Sequence, residues 1–321
     1  MENTYSSDLT IKSFAAEVIL KHLGAILDEV QGYSVENGIE PVHRIRVASR
    51  RLRNALDIFS PFFPTKQINH FQESVRIITS SLGNARDLDV QILCAEEVLS
   101  SVEDRRITPG LKRVILRLKQ KRDRVQSGMY NVLDNFNNAP EMIRLHDDFA
   151  QLLVPGSPSL IEPIALLRLS WETIMKRLQE FLSYEVFLSD MEFSNELHQM
   201  RIKAKRLRYS MEVFSPLYPD ELSPYLNAAR KAQEYLGLFH DCIVWQQYLS
   251  RFMDKEKVRM VKFYGAARGL RRLEIGVLFL SDNRKQFQIK NYQNMLQTWE
   301  KWKKNGLWQE LTLTIKKPLF D

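Results

Sequence analysis

Two cysteines in 321 residues, Cys94 and Cys242, cannot build a disulfide framework, and free thiols point to a reducing compartment. Glycine and proline are also scarce, at 12 each, which argues against sandwiches and barrels with their many tight turns. Convincing strand alternation is missing; the sole candidate is LTLTIKK at 311–317. No window approaches the run of roughly 18 apolar residues that a membrane span needs. The opening MENTYSSDLTIKSF has no basic segment followed by an apolar one, so no signal peptide is expected. These absences leave an all-α protein, expected to be soluble and cytoplasmic, with no membrane partner. Its length suits two domains better than one core.

A more local absence carries the functional reading. No acid occurs between Val42 and Leu56 or between Leu197 and Met211, yet each stretch holds five lysines and arginines. Together they exceed the net charge of the whole chain, +7, so the excess positive charge is concentrated in two places. The two stretches are copies of each other: VHRIRVASRRLRNALDIFSPFFP at 42–64 and LHQMRIKAKRLRYSMEVFSPLYP at 197–219. At a spacing of 155, His43 matches His198, Arg46 matches Arg201, and Arg50 matches Lys205. Arg51 and Arg53 match Arg206 and Arg208, and Phe59-Ser60-Pro61 matches Phe214-Ser215-Pro216. A second block comes at a spacing of 154, where RIITSSLGNARDLDV (76–90) matches RKAQEYLGLFHDCIV (230–244). The period is that of a small domain, too long for a solenoid, and indicates an internal duplication.

The expected seam is VPGSP at 154–158, giving halves at 1–153 and 159–321. Each half reads as four helices with short connections, the pattern of an antiparallel bundle. The first four are expected near 9–37, 41–60, 66–100 and 109–134. The second four are expected near 161–188, 195–214, 220–253 and 256–281, with an extra helix near 285–305. SPFFP and SPLYP end the second helix of each half, because proline cannot continue it. TWEKWKKNGLW at 298–308 reads as an amphipathic helix packed on the bundle.

On a helical wheel, Ile45, Ser49, Leu52, Leu56 and Phe59 gather on one face, suited to a core. His43, Arg46, Arg50 and Arg53 gather on the opposite face, with Arg44 and Arg51 on a flank. His198, Arg201, Lys205 and Arg208 repeat the stripe, with Arg206 on its flank; Lys203 falls nearer the apolar side and has no assigned role. A solvated helix face normally alternates charge sign, whereas like charges three or four apart cost a few tenths of a kcal/mol per pair, roughly. Carrying that cost twice points to an anion that relieves it. If the halves turn their stripes toward each other, one basic groove or channel results. Arg76 and Arg230, equally placed before each Leu-Gly pair, are candidates for its lining. Lys21 with Lys176, and Arg113 and Arg117 with Arg268 and Arg272, are further matched candidates.

Phosphate suits guanidinium forks, and the stripe histidines add donors. Single-stranded nucleic acid wants aromatic stacking platforms, and Tyr209 is the only ring inside either basic stretch. No helix-turn-helix or zinc-finger spacing is visible. A polyanion without bases fits best.

The pattern His-x-x-Arg-x-x-x-[Arg/Lys]-Arg-Leu-Arg, with Leu-Gly-x-x-Arg-Asp-x-Asp-Val after it, resembles the CHAD family of conserved-histidine α-helical domains. HRIRVASRRLR with LGNARDLDV is the closer copy, and HQMRIKAKRLR with LGLFHDCIV the looser. The resemblance implies two pseudo-symmetric four-helix bundles and non-catalytic binding of long-chain inorganic polyphosphate in a basic central channel. It implies contacts from His43, Arg46, Arg50, Arg51 and Arg53, and from His198, Arg201, Lys205, Arg206 and Arg208; Arg76 and Arg230 sit at positions that are basic in the family. Association with polyphosphate granules would be a consequence. No cofactor and no metal is expected. His240 stands where Arg86 does, and Ile243 where Asp89 does, so Asp87 and Asp241 are read as structural partners of nearby bases. The alternatives are a polyphosphate-processing hydrolase or kinase and a nucleic-acid-binding module. His240-Asp241 resembles a phosphohydrolase dipeptide, but its counterpart Arg86-Asp87 contains an arginine, which does not ligate metals. The Glu-x-Glu-x-Lys signature of the triphosphate-tunnel domain found in some relatives is absent, so no catalytic partner domain is expected.

Overall fold

A computed structural model describes residues 2–33, 40–153 and 163–320; the expected seam at 154–158 lies outside the described residues. The helices, in order, are α1 (Glu2–Gln31), α2 (Glu40–Phe59), α3 (Thr65–Ser100), α4 (Thr108–Asn137), α5 (Pro140–Ala150), α6 (Pro163–Leu182), α7 (Ser194–Phe214), α8 (Ser223–Ser250), α9 (Phe252–Tyr264), α10 (Leu270–Lys304) and α11 (Leu307–Lys316). The protein is all-α: among the described residues there is no strand. None of these helices is long and apolar enough to cross a membrane.

The face of α2 assigned to the core is the buried one: Ile45, Ser49, Leu52, Leu56 and Phe59 have no exposed surface. Burying each large apolar side chain contributes about 1.5–3 kcal/mol. Ser49 is tolerated there because its hydroxyl donates to the Arg46 carbonyl (3.0 Å) and accepts from Thr79 (3.1 Å). Both proline signals end their helices in matching 3-10 turns, Ser60–Phe62 and Ser215–Leu217. The serine of each turn donates to the carbonyl three residues back, Asp57 at 3.0 Å and Glu212 at 2.9 Å. The two copies then meet at that point. Phe59 and Phe214 stand 6.2 Å apart edge to face, and Phe14 of α1 lies 6.1 Å from each.

Two hydrophobic clusters hold the chain together, and each draws on both sequence copies. The larger runs from α1 through α8 and continues into α10 and α11. The smaller joins the end of α3 and the start of α4 to the end of α8, α9 and the start of α10. A buried carboxylate ties this second cluster. Glu256 has no exposed side-chain surface and accepts from Arg117 (2.7 and 3.1 Å) and Arg259 (2.5 Å), with Arg113 at 3.6 Å.

The one strand candidate, at 311–317, lies in helix α11, in keeping with the all-α reading: Trp308, Leu311 and Ile315, spaced three and four apart, bury together, while Leu313, which would share a strand face with Leu311 and Ile315, is 67% exposed. Two expectations need correction. The expected helix at 256–281 breaks at Gly265, whose φ of +69° closes α9 in the left-handed region. The chain restarts at Leu270 and runs unbroken through the expected gap at 282–284 as α10. α5 lies where a loop was expected; Pro140 opens it, and Met142, Leu145 and Phe149 give it a helical core face. The tryptophan-rich segment packs as expected, with Trp299 and Trp308 each about 5.5 Å from Phe181.

Where α4 crosses α10, backbone touches backbone. A Cβ on Gly276 would stand 2.8 Å from the Gly110 Cα, and one on Gly110 would stand 2.7 Å from the Gly276 Cα. Gly276→Leu is therefore expected to force the helices apart, at a cost of about 1–3 kcal/mol or more. Its thermal midpoint by circular dichroism should fall. Gly128→Ala, in a part of α4 where an added Cβ meets nothing within 4 Å, should raise that midpoint.

Candidate anion-binding cleft

The basic helices α2 and α7 pack directly on each other. Arg201 presses its charge on Arg46, Arg50 and Arg46 act on Lys205, and Arg206 acts on Arg53. The stripes of the two copies therefore face one another. The Leu-Gly pairs explain how the arginines fit. A Cβ on Gly83 would lie 3.8 Å from the Arg46 guanidinium, and one on Gly237 would lie 3.3 Å from that of Arg201. In each copy a glycine on the next helix, α3 or α8, leaves a flat backbone surface on which the arginine rests.

Burial has left these groups short of partners. The Nε atoms of Arg46, Arg201 and Arg208 are buried without a hydrogen-bond partner, as is Nδ1 of His198. Arg46 reaches Asp87 at 3.2 Å, and Glu212 binds Arg51 (2.8 Å) and Arg208 (3.2 Å). Arg76 is held by Glu73 (2.6 Å) and Arg230 by Asn227 (2.7 Å). Arg50, Arg53, Arg201, Lys205 and Arg206 have no ion-pair partner among the described residues. Five cations, Arg50, Arg53, Arg76, Lys205 and Arg206, line one cleft of about 640 Å³ between α2, α3 and α7. Its neutral lining includes Asn54, Asn69, Gln72 and Thr79, and its acids are Asp57 and Glu73. Asp57 is engaged by Arg177 of α6 (2.6 Å) and Glu73 by Arg76.

The crowding of cations is visible in the ionisation. Burial, then the charges of Arg50, Arg201, Arg46 and Arg208, pushes Lys205 down to about 7. Burial, then His198, Arg201 and Lys205, pushes His240 down to about 4. The His240 ring lies 4.1 Å from that of His198, while Arg86, its counterpart, acts on His43. In each copy, the residue at this position therefore lies close enough to the stripe histidine to interact with it. Asp241 retains water contact yet lies deep among protein atoms, as on the wall of a recess. Burial raises its pKa, aided by Asp87 and opposed by Arg201, Arg46 and Lys205. Among the described residues no three His, Cys, Asp or Glu side chains gather to hold a metal.

Other candidates go elsewhere. Arg113 and Arg117 bind Glu256, Arg268 lies between α9 and α10, and Arg272 sits at the start of α10. Lys21 lines a separate recess with His22 and Arg51, between α1 and α7, and Lys176 is exposed on α6. Lys203, unassigned from the sequence, pairs with Glu180 of α6 at 3.0 Å, which accounts for its place beside the apolar face. Tyr209 is buried, with the Arg208 guanidinium 4.5 Å over its ring. Glu212, Asp57, Asn69 and Gln72 were not read as parts of the site; the first acid after each stripe was the available signal for Asp57 and Glu212.

The family model described as the CHAD domain matches residues 17–250. The chain belongs to the CHAD family. Among solved structures it is similar to the CHAD domain from the plant Ricinus communis, at 20% identity and a TM-score of 0.58, covering 83% of this chain and 91% of that one. It is also similar to PptA from Streptomyces chartreusis, at 14% identity and a TM-score of 0.62, covering 90% and 99%. At these identities the likeness shows the fold. No curated protein matches the sequence.

The CHAD cleft makes a pH-dependent prediction. Lys205 titrates near 7 when folded and near 10.5 when unfolded, so its protonation costs the folded state in full below about pH 7. That cost fades as pH rises from 7 towards 10.5. Lys205→Met is expected to be more stable than the parent chain at pH 6, by urea midpoint, with the gap closing by pH 10.

Proposed function

We propose that this CHAD protein binds long-chain inorganic polyphosphate without catalysis, in a basic channel where the two sequence halves meet. The observation that carries this reading is the set of buried, unpartnered guanidinium nitrogens on matched arginines, Arg46 and Arg201, with a cleft whose Arg50, Arg53, Lys205 and Arg206 have no ion-pair partner among the described residues. Such groups gain most from an anion that supplies the missing acceptors. Arg46, Arg50, Arg53, Arg76, Arg201, Lys205 and Arg206 are assigned as the principal contacts. His43 and His198 are added donors, with Arg51, Arg208 and Arg230 at the margins. Binding neutralises the facing stripes and releases counterions, so affinity falls steeply as salt rises.

Several features favour a chain without bases. The only Phe, Tyr or Trp ring within the basic stretches, Tyr209, lines the cleft but is only 5% exposed, with Arg208 over its face, which leaves little surface for a base to stack on. A linear phosphate chain needs charge at regular intervals and nothing for bases. The protein is read as cytoplasmic, with granule association a consequence of the ligand. The halves, 1–153 and 159–321, are read as two pseudo-symmetric units that each contribute one wall.

Long-chain polyphosphate, single-stranded DNA and duplex DNA competing at matched ionic strength should rank in favour of polyphosphate; DNA binding equally well would sink the assignment. Arg46→Glu with Arg201→Glu is expected to abolish polyphosphate binding while helicity by circular dichroism is kept. Phosphate released on incubation with magnesium or manganese would instead support the hydrolase reading.

A further inference from the structure

A second cationic recess lies far from the cleft. It occupies about 710 Å³ and is lined by Arg105, Thr108, Pro109, Lys112, Arg113 and Leu116 around the start of α4. Met260 of α9 and Gly269, Arg272 and Leu273 at the start of α10 complete it. From Arg76 in the cleft to Ser100, the far end of α3, the chain rises about 35 Å at 1.5 Å per residue, and the recess lies beyond that end. A polyanion in the cleft has no reason to share its contacts.

Four cations and no acid line this recess. Arg105, Lys112 and Arg272 have no ion-pair partner among the described residues. Arg113 is only loosely held, since Glu256 is taken at 2.7 Å by Arg117 and at 2.5 Å by Arg259 while Arg113 stands at 3.6 Å. One buried carboxylate therefore answers three arginines, and the local charge stays strongly positive. The nearest acid in sequence that has a partner, Asp104, is used by Arg106 at 2.8 Å.

Apolar side chains are interleaved with these cations: Leu116 comes one turn after Lys112 on α4, and Leu273 directly follows Arg272 on α10. Leu116 is 44% exposed at the recess, and Met260 and Leu273 also face it. The shape is fixed by two glycine contacts. The Gly110–Gly276 crossing clamps α4 to α10, and Gly269 leaves room for the Met260 methyl, which a Cβ would meet at 2.9 Å. An open recess of this size, in which cations and apolar side chains alternate, falls in the range of roughly 300–1,000 Å³ that small ligands occupy.

We infer that this recess binds a small organic polyphosphate: a compact apolar group carrying two or more linked phosphates. The cations take the phosphates and Leu116, Met260 and Leu273 cover the apolar part. A purely inorganic anion would leave those apolar side chains uncovered.

The test is calorimetric titration of ATP, inorganic triphosphate and adenosine into the full chain, and into the same chain carrying Arg46→Glu with Arg201→Glu. One ATP is expected to bind in both. Lys112→Glu with Arg272→Glu should weaken it on the order of tenfold or more, the loss of at least one charge-assisted contact. Long-chain polyphosphate binding to the cleft should be unmoved by the second pair, which keeps this site's failure separate from that of the cleft. ATP should also protect Lys112 from amine acylation, a readout independent of the variants. ATP affinity unchanged by Lys112→Glu with Arg272→Glu, or no protection of Lys112, would overturn the site. Triphosphate binding as tightly as ATP would overturn the organic class.

Discussion

Repulsion between like charges is the force that the packing of α2 on α7 must contain. Two helices that each present four or five cations would separate if nothing else joined them. They are joined below the charged faces, where Phe14, Phe59 and Phe214 close a three-ring contact and α1 lies across both copies. Apolar burial on one side of each helix thus holds repulsion on the other. The glycines at 83 and 237 set how close the guanidinium groups come to the neighbouring backbone. Acids enter mostly at the margins: Asp57 and Glu212 come just after the stripes, and they pair with Arg177, Arg51 and Arg208. In the middle of the stripes, Arg50, Lys205 and Arg206 have no ion-pair partner among the described residues.

The periodicity of α2 and α7 was readable because both faces are pure: apolar residues on one side, cations on the other, and proline at the end. The five apolar-face positions of α2 lie wholly inside. The same reasoning was silent on Lys203 because its partner, Glu180, comes from a different helix, 23 residues away in sequence. α11 was not expected as a helix, because Leu311, Leu313 and Ile315 alternate as a strand would. What decides its form is Trp308 locking onto Phe181 and Trp299, a tertiary contact that local preference does not contain. Spacing did not show that Arg113 and Arg117 reach Glu256 of the second copy, nor that Gly265 breaks the chain just before Arg268 and Arg272.

The second copy shows how a site tolerates divergence. His240 replaces an arginine, yet its charge and that of His198 repel, as those of Arg86 and His43 do. Lys205 replaces another arginine and is driven towards neutrality by the cations around it. The two walls of the cleft therefore differ in their response to acid, although they descend from the same pattern. The first wall keeps fixed guanidinium charge, and the second adds groups that titrate.

The contact between Phe59 and Phe214 has a wider consequence. A residue touching its own counterpart is what an isologous dimer shows on its axis. Here the two counterparts belong to one polypeptide, and both hydrophobic clusters are assembled from both copies. Encounter between separate subunits is replaced by a covalent link, so the pairing of the basic helices does not depend on protein concentration. Dilution would separate two such helices carried on different subunits, whereas this chain keeps both basic helices together at any concentration.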